Sequence, residues 1–394
     1  MPQDPRPSRG GRASSGRARP GGRGRPAPDR RAPDRRTRGT AGARPAATAR
    51  VELTFLPGLA DVLSDEVGEV LGARARPVVG RDDALVVDVT ALAEVRRLRT
   101  AVAAFVVLHF DVPRPKALLS GEHLQRVVDA AYASLRVAGS STFRFEAAGS
   151  DSSVFARLAA ELAAATGLKH DEHEGELVVK VRRGARRPAT DADPGWDVLV
   201  RVGPRPLSAR TWRVTDYPGA VNATIAAAMV RLAGARDDER VLNLMCGSGT
   251  LLVERLLAAP AASAVGIDLA DDALAAARDN LEAAGLARRA SLVAADALEP
   301  GAWPEGTAPA DLLLADPPWG SLHGSHAAAA QVHSGLLRAA HAAAAPGARL
   351  VVLTHEVKVM EAAVRDAAGL WRAREPLRVF AKGHHPRIWL LDRV

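Results

Sequence analysis

Arg240-Val241-Leu242-Asn243-Leu244-Met245-Cys246-Gly247-Ser248-Gly249 is the stretch on which the reading of this chain turns. Its first six residues are an apolar run of strand length. Cys246 to Gly249 is a tight glycine turn, and residues 250–259 follow with helical spacing. Strand, glycine turn and helix make the entry to a nucleotide-binding sheet. The glycines let a ligand approach the backbone, and the helix N-terminus offers free N–H groups. The turn is neither a Gly-x-Gly-x-x-Gly dinucleotide fingerprint nor a phosphate loop with its lysine.

The spacing downstream sharpens this. Ala264-Val265-Gly266-Ile267-Asp268 reads as a second strand ending in an acid, and Asp268 lies 19 residues beyond Gly249. An acid there accepts hydrogen bonds from ribose hydroxyls. The competing reading is a plain helix cap, because Asp271 and Asp272 stand nearby. Residues 272–284 form a helix closed by Gly285. Residues 292–296 form a third strand with Asp296 at its end, and residues 311–315 a fourth, followed by Asp316-Pro317-Pro318-Trp319-Gly320. Three acids thus line one edge of a parallel sheet, the edge where such sheets bind ligands. Asp316 offers an acceptor, the prolines a rigid turn and Trp319 a flat stacking surface. That set suits a planar base whose amino group must be held. A strand-ending turn with Trp319 in the core is the alternative. Pro346-Gly347 leads into a fifth strand at 350–354. Residues 377–381 and 388–391 flank Lys382 to Pro386 as a hairpin that closes the sheet.

The chain has 394 residues, which predicts two or three domains, and 47% hydrophobic content suffices for sizeable cores. It has no apolar run of 18 residues and no apolar segment behind the basic N-terminus, so neither a membrane span nor a secretory signal is expected. The single cysteine, Cys246, excludes a disulfide framework and a cysteine zinc site, and fits a reducing cytosol. Residues 1–50 hold fourteen arginines against three acids, an excess of +11 in a chain whose net charge is +8, so the remainder carries −3. They contain no Val, Ile, Leu, Phe, Tyr or Trp and cannot bury enough surface to fold. An Arg-Gly tail attracts RNA through its phosphates. A poorly constrained leader is the alternative.

Val51 to Phe55 alternates as a strand, residues 61–71 carry a helical face, residues 85–89 form a strand, 92–100 a short basic helix and 102–110 another strand. This small α+β unit covers residues 51–112. Helices over 121–135 and 152–167, and strands over 142–146, 177–181 and 196–202, make up residues 113–205. A loop rich in arginine and proline (Arg182, Arg183, Arg186, Arg187, Pro188) joins the last two strands. Residues 206–394 form the sheet described above, entered through an apolar helix at about 220–233. His323, His326 and His333 lack an acid partner set and are expected to be solvated or RNA-facing. His170-Asp171-Glu172-His173 is expected to be a polar loop, and no metal site is expected.

Asn243 to Glu254, reading Asn-Leu-Met-Cys-Gly-Ser-Gly-Thr-Leu-Leu-Val-Glu, resembles the Asp-Pro-x-Cys-Gly-Ser-Gly-Thr-x-x-x-Glu motif of THUMP-linked RNA guanine-N2 methyltransferases, tRNA-modifying branch. Gly266-Ile267-Asp268 and the helix to Asn280 are similar too. Thr142-Phe143-Arg144-Phe145, the helix after it and the strand ending near Arg201 resemble a THUMP domain, and Phe55-Leu56-Pro57-Gly58-Leu59 resembles the ferredoxin-like domain before it. The resemblance implies an α/β chain with a Rossmann-like C-terminal domain, a mostly parallel doubly wound sheet with an antiparallel hairpin, behind an α+β ferredoxin-like and THUMP region. It implies S-adenosylmethionine bordered by Asn243, Met245, Cys246, Gly247, Ser248, Gly249 and Thr250. Asp268 with Leu269 would meet the ribose side, and Asp296 with Ala297 the adenine. Asp316, Pro317, Pro318 and Trp319 would hold an exocyclic amine. Arg144, Arg182, Arg183, Arg186 and Arg187 would meet RNA, a solvated charged face being the alternative for them. The implied partner is tRNA, with no DNA or membrane, for a cytoplasmic monomer. A ribosomal RNA enzyme and a non-catalytic RNA-assembly protein stand as rivals. Cys246 is read as a small loop residue. Two positions depart from the family. Asn243 stands where it usually has Asp, and Ser208 replaces the usual His, so no chemistry is assigned there.

Overall fold

The computed structural model describes residues 48–185, 193–318, 326–381 and 383–394. The Arg-rich tail, Arg186, Arg187, Trp319, His323 and Lys382 lie outside them.

The N-terminal elements are β1 (Ala49–Thr54), α1 (Ala60–Leu71), β2 (Arg76–Pro77), β3 (Ala84–Val89), β4 (Ala103–Phe110), α2 (Gly121–Val137), β5 (Thr142–Ala147), α3 (Ser153–Thr166), β6 (Lys169–His170), β7 (Leu177–Arg183) and β8 (Trp196–Arg201). They form one sheet in the order β2-β3-β1-β4-β8-β7-β5-β6. Val51 and Leu53 alternate into the core, as the apolar pattern of β1 requires, yet Glu52 between them is also buried. It faces the other side of the sheet, where Arg81 and Arg182 reach its carboxylate. β4 pairs with β1 through Val106 and Val51, and with β8 through Val106 and Val200. The boundary expected at residue 112 therefore divides a continuous sheet.

The C-terminal elements are α4 (Ala223–Ala233), β9 (Arg240–Leu244), α5 (Thr250–Ala258), β10 (Ser263–Asp268), α6 (Asp271–Ala283), β11 (Ser291–Ala294), β12 (Ala310–Ala315), α7 (His326–Ala343), β13 (Ala344–Thr354), α8 (Val357–Asp366), β14 (Trp371–Ala373), β15 (Leu377–Arg378) and β16 (Arg387–Arg393). The sheet order is β11-β10-β9-β12-β13-β16-β14, with β15 on β16. The first five strands are parallel, and β16 runs antiparallel to β13, β14 and β15. Along β12, Leu312 and Leu314 pack with Ile225 and Leu251 of α4 and α5, while Leu313 and Ala315 pack with Leu336 and Met360 of α7 and α8. A strand covered on both faces needs an unbroken apolar run, which is what residues 312–315 supply. This is the Rossmann-like, doubly wound α/β fold that the family resemblance implies, built on the apolar runs read as parallel strands.

Several details differ from the sequence reading, three of them in the C-terminal sheet and its helices. β13 starts at Ala344, directly after α7, and carries Pro346-Gly347 as an exposed irregularity where its register against β12 shifts. β14 was not expected; it is three residues long and exists by pairing with β16. His333 is not at the surface. It is 1% exposed, its Nδ1 faces the Ala329 carbonyl at 2.8 Å and its Nε2 the Thr354 hydroxyl at 3.0 Å. α7 turns this position towards β13 rather than towards solvent.

The two sheets belong to one compact unit. Gly58, at φ +101°, passes so close to β15 that an added Cβ would lie 2.1 Å from the Arg378 carbonyl oxygen, so no other residue fits there. The next carbonyl back, Pro57, accepts from the Phe380 amide at 2.9 Å. Buried Glu254 on α5 receives Arg99 from the link before β4 at 2.7 Å and Arg210 from the connecting segment at 2.8 Å.

Candidate active site

The glycine turn hangs from the end of β9. Met245, Gly247 and Gly249 all adopt positive φ, at 52°, 51° and 75°. The Cys246 amide donates to the Ile267 carbonyl of β10, and the Gly249 amide back to Cys246, both at 2.9 Å. A side chain on Gly249 would press on Ala277 of α6, at 3.1 Å from its Cβ. Glycine is therefore demanded twice there, by φ and by helix approach. Gly249 then caps α5, whose first turn begins at Thr250. Cys246 is buried, and burial, reinforced by the Asp268 charge, pushes its thiol pKa up. It stays protonated and is no nucleophile.

Asn243 is fully buried in β9. Its Nδ2 donates to the Leu314 carbonyl of β12 at 3.1 Å. Its Oδ1 has no hydrogen-bond partner among the described residues. Buried acceptors are almost always satisfied, so this one is a candidate to meet a donor from outside the chain. Asp268 ends β10 with both oxygens engaged: Oδ2 accepts the Gly247 amide at 2.7 Å and Oδ1 the Ala270 amide at 3.0 Å. Asp268 thus braces the glycine turn and the short link that leads to α6, whose own N-cap is Ala270. Leu269 beside it is 69% exposed. Asp296 lies two residues past the end of β11, where its Oδ1 accepts the Leu298 amide and its carbonyl the Trp303 indole, both at 2.8 Å. Ala297 is buried next to it.

β12 stops at Ala315. Asp316 is half-buried, Pro317 buried and Pro318 exposed. Because Leu314 pairs with Asn243, Asp316 lies two residues beyond the strand position that faces the unmet amide oxygen. The glycine turn and the acid-proline-proline corner are thereby neighbours on adjacent strands.

Sequence reasoning assigned no part to the strap over the turn. Asn280 of α6 is fully buried; its Nδ2 donates to the Ser248 carbonyl at 3.0 Å and its Oδ1 accepts the Val214 amide at 3.0 Å and the Thr215 amide at 3.3 Å. Arg213 donates to the Thr250 hydroxyl at 2.7 Å and the Val221 carbonyl at 2.8 Å. Tyr217 bonds Asp272, and burial, with the charges of Asp272 and Asp268, raises its phenol pKa. A buried asparagine in the middle of an Ala-rich helix was the one visible signal.

The arginines assigned to RNA have partners inside the chain. Arg144 donates to the Gly175 carbonyl and Glu146. Arg182 grips both oxygens of buried Glu52. Arg183 pairs with Asp193 at 2.9 Å and lies over the Trp196 ring at 5.2 Å. Among the described residues, no group of three or more His, Cys, Asp or Glu could hold a metal ion, and no helix is long and apolar enough to cross a membrane.

Residues 210–387 match the UPF0020 family, described as an RMKL-like methyltransferase domain. The tRNA (guanine(6)-N2)-methyltransferase of Thermus thermophilus is 28% identical over 350 residues, 87% of this chain and 99% of that protein. The U6 snRNA (guanine-N(2))-methyltransferase THUMPD2 of Bos taurus is 36% identical over 115 residues, 29% of this chain and 22% of its own length. The crystal structure of TrmN from Thermus thermophilus superposes with a TM-score of 0.66 and 26% identity, over 88% of this chain and 100% of that one. Fold, glycine turn and strand-end acids agree with these matches: residues 210–387 are a methyltransferase domain of Rossmann-like fold.

Proposed function

We propose that this chain is an S-adenosylmethionine-dependent RNA methyltransferase that modifies the exocyclic N2 of a guanine, in tRNA. The observation that carries the reading is the pairing of Asn243 with Leu314, which puts an unmet buried acceptor beside the Asp316-Pro317-Pro318 corner. The donor set fits the cofactor. Asn243 Oδ1 suits the ammonium of its methionine end, and Asp268 keeps lone pairs for ribose hydroxyls after its two backbone bonds. When bound, the cofactor supplies an electrophilic methyl group.

The guanine N2 lone pair is delocalised into the ring and is a poor nucleophile. The Asp316 carboxylate and the Pro317 carbonyl accept its two N–H bonds and fix the amine for direct, in-line transfer, so positioning is the main contribution. Asp316 then takes the released proton. Trp319 stacks on a base swung out of its helix. No covalent step on the protein is needed.

The N-terminal half, with its ferredoxin-like and THUMP-like order of elements, captures the RNA. Its arginines at 144, 182 and 183 serve the sheet first. An open groove of about 520 Å³ lined by Arg114, Lys116, His123 and Arg157, with no acid, offers phosphates a better seat. The chain acts as a cytoplasmic monomer.

Incubation with labelled S-adenosylmethionine and total RNA tests the reading. Label in tRNA supports it. Label in ribosomal RNA moves the substrate, and RNA binding without label leaves an assembly protein.

A further inference from the structure

Rings collect at one place outside the corner already described. Phe380 is one of the few large apolar side chains left open, at 37% exposed. Its ring centroid is 5.2 Å from that of His385. His384 stands 5.9 Å from His355 in the same way. These residues belong to the turn between β15 and β16 and to the end of β13. The turn is well made: Ala381 and His384 exchange backbone bonds of 3.0 and 2.9 Å, and the Val379 amide donates to the Pro386 carbonyl at 3.0 Å. The bond from Phe380 to Pro57 ties it to the N-terminal half.

Strand register sets this turn beside the corner. β12 pairs with β13 through Ala315 and Val352. β12 ends there and Asp316 follows, while β13 runs on to Thr354 with His355 next. β13 pairs in turn with β16 through Thr354 and Arg387, and β15 lies on the far side of β16. Neighbouring strands lie about 4.8 Å apart, so the turn hangs over the same edge two to three strand widths from Asp316. Val379 and Pro386 are buried beneath the turn, whereas Phe380 and His385 are exposed. Arg378 and Arg387 flank them, and Glu356, 3.6 Å from His355, is the carboxylate that faces this cluster.

We infer that Phe380 and His385 form a stacking wall for a nucleobase of the RNA substrate at the rim of the Asp316-Pro317-Pro318 corner, with Phe380 as the positioning residue. Aromatic faces flanked by cations hold any base by its π-face, so the wall settles the nucleotide without selecting guanine. This rests on the RNA methyltransferase reading above.

The test is single-turnover methylation of tRNA by Phe380→Leu and Phe380→Trp, with cofactor affinity and melting temperature as controls. Leu keeps the bulk and lacks the π-face; its kcat/KM for tRNA should fall roughly tenfold, while Trp stays within about threefold of the parent. Cofactor affinity and melting should not move. A Leu variant equal to the parent, a Trp variant as damaged as Leu, or lost cofactor binding in the Leu variant each overturns the wall. If the parent protein labels RNA and the Leu variant is unaffected, the wall alone falls. If the parent labels no RNA, the reading it rests on falls with it.

Discussion

The two edges of the parallel sheet follow opposite rules. At the amino edge, fully buried Glu239 accepts the Arg236 amide at 3.1 Å and the Arg255 guanidinium at 3.0 Å, and also pairs with Arg349. Arg240 and Asp311, near the starts of β9 and β12, add a two-point pair with both bonds at 2.9 Å. At the carboxyl edge the same strands run out at Asn243 and Asp316, and the Asn243 Oδ1 meets no partner. An unmet buried acceptor costs about 1–3 kcal/mol. Charge density is therefore a poor marker of a site. The more heavily charged edge sets its carboxylates against arginines, and what it leaves unmet is mostly guanidinium N–H of Arg255 and Arg349. The carboxyl edge differs in leaving a neutral acceptor, the Asn243 Oδ1, unmet on a strand next to the acid-proline-proline corner.

The largest effect should come from breaking the amino edge. Glu239→Ala leaves Arg255, itself fully buried, without its counter-charge. Removing one partner of a buried pair costs roughly 3–5 kcal/mol, which a urea midpoint reads directly. Cofactor affinity of the folded protein should stay as it was. An unchanged midpoint would mean that the amino edge is not the stabilising end.

Asp316→Ala attacks the other edge. Methyl transfer should drop by about 10²- to 10³-fold, the usual loss when one preorganised group is removed from a reacting centre. Melting temperature and tRNA affinity should barely change. Lost tRNA binding with residual turnover would show that Asp316 anchors RNA instead of holding the amine.

What could be read from sequence follows the same division. β9, β10 and β12 are apolar runs bounded by glycine or proline, and such runs are local signals. The acids after them could be placed on one edge by counting. The strap could not, because Asn280 meets Ser248 across 32 positions and Arg213 meets Thr250 across 37, and the one local mark is a lone amide, Asn280, in an Ala-rich helix. Arg182 looked like a free cation in a basic loop, although its partner Glu52 lies 130 residues earlier. Glu52 did carry a hint, as a charge inside an alternating apolar strand. β14 is too short to show a period and depends wholly on β16.

Asn243→Leu sharpens the comparison at intermediate scale. It removes the unmet acceptor together with the bond to Leu314. The two losses offset each other in the free protein, so melting should shift little. Cofactor affinity should weaken about tenfold, since a hydrogen bond to a charged group is worth roughly 1.5–3 kcal/mol. Calorimetric titration with S-adenosylmethionine measures it. An affinity equal to the parent would mean that the unmet oxygen does not face the cofactor.

The smallest effect is a pH dependence traceable to one buried imidazole at the carboxyl edge. Burial, with a smaller push from His355, holds the His333 imidazole below its usual pKa, although the Ala329 carbonyl and Glu356 pull the other way. Thr354, its partner through Nε2, is the last residue of β13 and accepts the Glu356 amide at 3.0 Å. In the unfolded chain the imidazole titrates at about 6.5. Above that pH both states are neutral at this site, and its full contribution to stability is present. As pH falls below it, the unfolded chain takes up the proton first, and stability drops until the folded imidazole titrates as well. The slope for one proton is at most about 1.4 kcal/mol per pH unit. Urea midpoints from pH 7.5 down to 5.5 should therefore fall more steeply for the parent than for His333→Asn. The amino edge also holds an imidazole, His341 near the end of α7, which burial keeps below its usual pKa, so the difference between parent and variant, rather than the parent slope alone, reads His333. Equal slopes in parent and variant would remove His333 as a source of acid sensitivity and leave the unmet Asn243 acceptor as the feature that sets the carboxyl edge apart.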